Sequence, residues 1–133
     1  MIEITQEPIS PEIVVNKVKT EGSGCVVTYV GLIRGNSHGK QVLSVEYRDT
    51  LGTAKDALLQ IVNEAKERWQ LEEVAFTHRT GILKVGDINL VIAIAAAHRQ
   101  EGFAAAQFII DRFKQKLPTD KTETYQDGTT SVD

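Results

Sequence analysis

A single cysteine, Cys25, is the whole thiol content of this 133-residue chain, so no disulfide can close within it. Its setting in the apolar run GCVVTYVGLI matches no metal-ligand spacing, and it reads as a buried core thiol. Also missing is any apolar stretch of about 18 residues, the length a membrane-spanning helix needs. The opening residues MIEITQEPIS carry neither the basic nor the apolar region of a signal peptide, so a reducing, cytoplasmic setting is expected. Positive charge is not in excess: the formal net charge is -3, which offers no general attraction to nucleic acid phosphates. The histidines His38, His78 and His98 stand too far apart for a helical metal site, and no metal is expected. No serine sits in a nucleophile-elbow pattern, no glycine-rich phosphate loop joins a strand to a helix, and there is no internal repeat.

What remains is an ordinary globular composition, 41% hydrophobic and 25% charged, in a length that suits one domain with one core. Ser10-Pro11-Glu12 supplies an N-cap, a first-turn proline and an early acid, which predict a short helix to about Lys19. Residues 25–33 and 41–48 read as strands from their β-branched content and alternation, and the polar segment 35–40 between them as an exposed loop able to move. From Thr50 to Trp69, Ala54, Leu58, Ile61, Ala65 and Trp69 recur at the helical period. Residues 73–78 and 88–97 predict two more strands, the second apolar enough to be central. A second long helix then carries Phe103, Ala106, Ile110, Phe113 and Leu117 on one face until Pro118 stops it. The tail from about 119 is polar and reads as irregular. The expected fold is a single α+β domain with a mixed or antiparallel sheet and two long amphipathic helices.

Three groups of cations are candidates for chemistry. His98-Arg99 lies where the apolar strand ends and the last helix begins; backbone N–H groups at a helix start and an arginine fork together suit an anion. The same pair is equally explained as a solvated strand end. Arg34 ends a strand beside the glycine-bearing loop, a position that either reaches a cleft or simply faces solvent. Lys114, Lys116 and Lys121 cluster around the end of the last helix, where the helix dipole alone favours lysine. His78-Arg79 repeats the His-Arg pairing but ranks below His98-Arg99, since it can mark an exposed strand end.

The ordered pieces GCVVTYVGLIR, VLSVEY, EAKERW, HRTGILKVGD, the HR pair at the strand end, and FIIDRFKQKLP followed by Lys121 give the chain a resemblance to a known family. From about Gly24 to Glu123 it resembles the MoaE family, the large catalytic subunits of molybdopterin synthase. That resemblance implies the family's α/β-hammerhead fold and a sulfurtransferase that converts cyclic pyranopterin monophosphate to molybdopterin in molybdenum cofactor biosynthesis. The implied sulfur donor is a small ubiquitin-like subunit whose C-terminal Gly-Gly ends in a thiocarboxylate, within a heterotetramer built on a homodimer of large subunits; no cofactor is implied. Carried over by position, Lys114 and Lys121 are the catalytic lysines. Leu32, Ile33, Arg34, His98, Arg99, Lys114, Lys121, Thr122 and Glu123 bind substrate. Lys121 is expected on a loop that can close over a bound glycine tail, with Lys114 fixed on its helix.

The segment Pro118-Thr119-Asp120-Lys121 departs from the family, which has aromatic or apolar residues between the proline and its lysine, and a tryptophan found a few residues on is missing. A less anchored Lys121, drawn aside by Asp120, is the expectation from that departure. The rival readings are a non-catalytic pterin- or nucleotide-binding module, which binds without transferring sulfur, and a purely structural subunit.

Overall fold

The computed structural model describes residues 1–133. In chain order its elements are β1 (Ile2–Thr5), α1 (Pro11–Val18), β2 (Cys25–Leu32), β3 (Asn36–Ser37), β4 (Lys40–Arg48), α2 (Ala54–Arg68), β5 (Glu73–Arg79), β6 (Gly81–Lys84), β7 (Ile88–Ala96), α3 (Arg99–Gln115), β8 (Asp120–Tyr125) and β9 (Thr130–Val132). The α+β class, the mixed and antiparallel sheets and the two long helices are those expected from the sequence. No helix is long and apolar enough to cross a membrane.

The first sheet has the order β1-β5-β7-β2, parallel between β1 and β5 and antiparallel elsewhere. Both faces of its middle strands are covered, which is why β7 reads INLVIAIAA almost without a polar residue. Leu90, Ile92 and Ile94 join Val74 and Phe76 beneath α2 and α3, while Val91, Ala93 and Ala95 take Val14 and Val18 of α1 on the other side. Near its start β7 carries one residue too many. The register with β2 passes from Gly31↔Leu90 to Leu32↔Ile88, leaving Asn89 opposite nothing, as in a β-bulge.

The second sheet centres on β4, which pairs antiparallel with β6 on one side and β8 on the other; β9 extends β8, and β3 folds back on the start of β4. Its core is Ile33, Val42, Val45, Tyr47, Leu83 and Tyr125.

Several sequence expectations need correction. The tail from 119 is not irregular but forms β8 and β9: Thr119, Glu123 and Tyr125 are buried on one side of the strand, and since two of the three are polar, no hydrophobic alternation reveals it. The segment 35–40 is a tight hairpin, with His38 at φ 52° and Gly39 at φ 73°, the paired left-handed residues of a type I′ turn. Helix α2 starts at Ala54, not Thr50; Asp49 Oδ1 accepts the Ala54 N–H at 3.2 Å, and Gly52 turns the chain at φ 69°. Cys25 is only half-buried.

The buried face of α3 is rotated from the one its large residues suggest. Gly102, Ala105, Ala106, Ile109 and Phe113 face inward, whereas Phe103 is 61% exposed. Small residues carry little weight in a hydrophobic period, yet they let the helix approach β2: a Cβ on Gly102 would stand 3.0 Å from Val27. Ile109→Ala is therefore expected to destabilise the fold by about 2–5 kcal/mol. Phe103→Ser should shift stability by about 0.5 kcal/mol or less, both measured by urea unfolding.

Candidate cation-lined active site

Where the two sheets meet at the site end of β2 there is a cleft of about 500 Å³. Leu32, Ile33 and Arg34 reach it from the end of β2, Lys114 from the last turn of α3, and Lys121 and Glu123 from β8. Three cations thus arrive from three different elements. Lys121 lies opposite Tyr47 in the β4–β8 ladder. It is a strand residue and not part of a closing loop, which corrects the expectation from sequence.

Glu123 organises the floor. Its side chain is buried, and its Oε1 accepts hydrogen bonds from Ser37 Oγ and Tyr125 Oη, each at 2.8 Å. Lys121 Nζ stands 3.7 Å from Oε2, and His38 Nε2 3.7 Å from Oε1. Burial works to raise the carboxyl, but those hydrogen bonds and the neighbouring charges together outweigh it and hold Glu123 below its ordinary 4.5. It stays an anion that fixes the lysine rather than a proton donor. Asp133 adds a second contact to Lys121 at 3.8 Å. Asp120, expected to draw Lys121 aside, instead accepts a hydrogen bond from Thr50, because alternation along β8 turns it away. The same alternation sends Thr122 to the opposite face from Lys121 and Glu123, next to Val132 of β9.

His98 and Arg99 are elsewhere. They border a second depression with Gly24, Cys25, Ala97 and Gln100, at the far end of β2. Two rulers agree on the separation within one chain: the length of β2 from Cys25 to Leu32 is about 23 Å, and the rise of α3 from Arg99 to Lys114 is about 22 Å. The residues expected to share one substrate therefore form two groups at opposite ends of the domain.

Beneath the main cleft lies a polar chain that sequence reasoning missed. Asn89, turned out of the ladder by the bulge, donates from Nδ2 to Tyr47 Oη at 3.0 Å, and its backbone oxygen lies 2.9 Å from His78 Nδ1. His78 Nε2 is 3.0 Å from Thr119 Oγ1. Tyr47 and Phe113 meet the imidazole edge to face, at ring-centre distances of 5.0 and 5.3 Å. The signal was present: Val74, Phe76 and His78 share the inward face of β5, and a histidine there must find partners.

The chain matches the family model for MoaE protein over residues 4–116. The chain belongs to the MoaE family. Over 126 residues, 95% of this chain and 80% of the relative, it is 36% identical to the molybdopterin synthase catalytic subunit of Bacillus subtilis. Against the human molybdopterin synthase catalytic subunit it is 32% identical over 130 residues, 98% of this chain and 69% of that one. Molybdopterin synthase from Staphylococcus aureus superimposes with a TM-score of 0.91 at 30% identity, covering 98% of this chain and 95% of that one. A complex of subunits 1 and 2 of molybdopterin-converting factor from Helicobacter pylori shares the fold, with a TM-score of 0.77 at 13% identity over 98% and 88% of the two chains. Membership makes this chain an enzyme subunit of molybdenum cofactor biosynthesis, of the molybdopterin synthase type.

In this MoaE chain the buried His78 also makes stability sensitive to acid. Burial lowers its pKa from the ordinary 6.5, only partly offset by the Asn89 carbonyl and by Asp49. The folded state thus binds a proton less readily than the unfolded one, so the contribution of neutral His78 is complete above about pH 6.5 and is lost as pH falls below it. Denaturation midpoints are expected to drop between about pH 6.5 and 5, with a shallower slope for His78→Gln. The stability that ionised Glu123 contributes is lost only further down, below 4.5. Equal slopes for the two proteins over that window would place the acid sensitivity elsewhere.

Proposed function

We propose that the cleft of Arg34, Lys114, Lys121 and Glu123 is where sulfur passes from a thiocarboxylated small ubiquitin-like subunit to cyclic pyranopterin monophosphate. The observation that carries this reading is the convergence of three cations from β2, α3 and β8 on one cleft, with a buried carboxylate orienting the lysine nearest the floor. An anionic thiocarboxylate has to approach a substrate that already carries a phosphate, and cations between the two remove that repulsion.

In this mechanism the thiocarboxylate sulfur attacks a side-chain carbon of the pterin and forms a C–S bond, while that carbon's bond to oxygen breaks and the oxygen departs with the electron pair. Water then adds to the glycine carbonyl, the bond from that carbonyl to sulfur breaks, and the glycine leaves as a carboxylate while sulfur stays on the pterin. A second small subunit supplies the second sulfur. Lys121 faces the carbonyl oxygen as its charge develops, and Lys114 with Arg34 holds the phosphate side. A tail of glycines can enter a confined cleft because it carries no side chains.

His98 and Arg99 belong to the same reading only through a second copy of the chain, since about 22 Å separates Arg99 from Lys114 along α3. A homodimer that presents this pair to its partner's cleft would complete the phosphate site. Mixing Lys121→Ala with Arg99→Ala subunits is then expected to recover turnover that neither variant shows alone. No recovery after verified subunit exchange would remove His98 and Arg99 from the site.

The direct test is incubation with cyclic pyranopterin monophosphate and the thiocarboxylated small subunit, with detection of the dithiolene product. Binding without product would instead mark a pterin-binding module. Arg34→Ala should weaken pterin binding by about 1.5–3 kcal/mol, about one to two decades, in calorimetry at fixed salt. In single-turnover assays Lys121→Arg should fail nearly as badly as Lys121→Ala, because a guanidinium cannot take the place of the compact ammonium held by Glu123. Lys114→Arg, on an exposed helix turn, should retain more activity.

A further inference from the structure

We propose that His78 and Thr119 are positioning residues for Lys121: the buried imidazole holds the hydroxyl that leads into β8, and through it sets where the lysine stands in the cleft. Between the end of α3 at Gln115 and the start of β8 at Asp120, Leu117 packs against both hydrophobic cores, and Pro118 has no N–H to give. Thr119 is buried, two residues before Lys121, on the same side of the chain as Lys121 and Glu123. Its hydroxyl lies 3.0 Å from His78 Nε2, which belongs to the other sheet.

The direction of that bond follows from chemistry. The Asn89 carbonyl can only accept, so His78 Nδ1 carries the proton, Nε2 is bare, and the Thr119 hydroxyl donates to it. Tyr47 and Phe113 wedge the ring in this orientation. Tyr47 is also the residue opposite Lys121 in the ladder, so the ring that clamps the histidine projects from the same face of the sheet as the lysine, one strand away. Thr119 fixes the base of Lys121 while Glu123 and Asp133, at 3.7 and 3.8 Å, fix its tip.

This inference rests on Lys121 being the reacting lysine, and the test separates the two. Thr119→Val keeps the shape and removes the donor. It is expected to slow single-turnover sulfur transfer about tenfold while pterin affinity stays within about twofold, because a displaced group harms the chemical step more than binding. Thr119→Ser should restore the rate, and on a Lys121→Ala background Thr119→Val should add nothing, since the two changes would act through one group. Should Lys121→Ala turn over at the parent rate, the Lys121 reading fails and takes this inference with it. A slow Lys121→Ala beside a fast Thr119→Val, or effects that multiply in full, overturns the positioning role alone. Hydrogen exchange of the ligand-free chain supplies a second readout: Thr119→Val and His78→Gln should both speed exchange in β8 and leave α2 unchanged. Unaltered β8 exchange in both variants would also overturn it.

Discussion

The two sheets share no strand-to-strand ladder; they are joined by the short links at Thr80 and residues 85–87, and between those links side chains cross the gap. One such crossing is a neutral imidazole. His78 is wholly buried on β5, hydrogen-bonded at both ring nitrogens and flanked by one aromatic ring from the second sheet and one from α3. A histidine can do this where leucine cannot, because it offers one donor and one acceptor on opposite sides of a flat ring. The apolar core beneath α2 and α3 holds the first sheet; the His78 bridge ties the second sheet, and with it Lys121 and Glu123, to that core.

Charge in the cleft is arranged rather than merely collected. A cluster of cations alone would repel itself, and each lysine tip would wander in solvent. Glu123 counters this from a buried place, kept ionised by two hydroxyl donors as well as by Lys121 and His38. The resulting lysine has a defined position but still faces the opening. Such preorganisation is what stabilises a developing oxyanion without reorganisation at the moment of reaction.

The sequence made the framework legible wherever burial and period coincide. Helix α2 and the strands β2, β4, β5 and β7 announce themselves because large apolar residues repeat at the spacing their geometry demands. Legibility fails where the inward face is polar or small. β8 was hidden because the residues on its inward side include Thr119, just before the strand, with Lys121 and Glu123, the last two of which line the cleft. The phase of α3 was hidden by Gly102 and Ala105. Of the site, Leu32, Ile33, Arg34, Lys114, Lys121 and Glu123 were readable by resemblance and do converge. Thr122 faces away, and no linear pattern reveals that His98 and Arg99 lie at the other end of β2. Asn89 could not be singled out, since its place depends on a bulge that only pairing partners define.

That bulge has a further consequence. A strand built in perfect alternation ties every side chain to one shared phase, so a change at one end propagates to the other. Asn89 interrupts the count. On its far side Leu90, Ile92 and Ile94 keep step with the core, while on its near side β2 runs on from Leu32 into Ile33 and Arg34 under a separate step. The core and the rim of the cleft are thereby clocked independently. A mutation that lengthens or shortens the rim can be absorbed at the bulge without turning the hydrophobic face of β7 towards water.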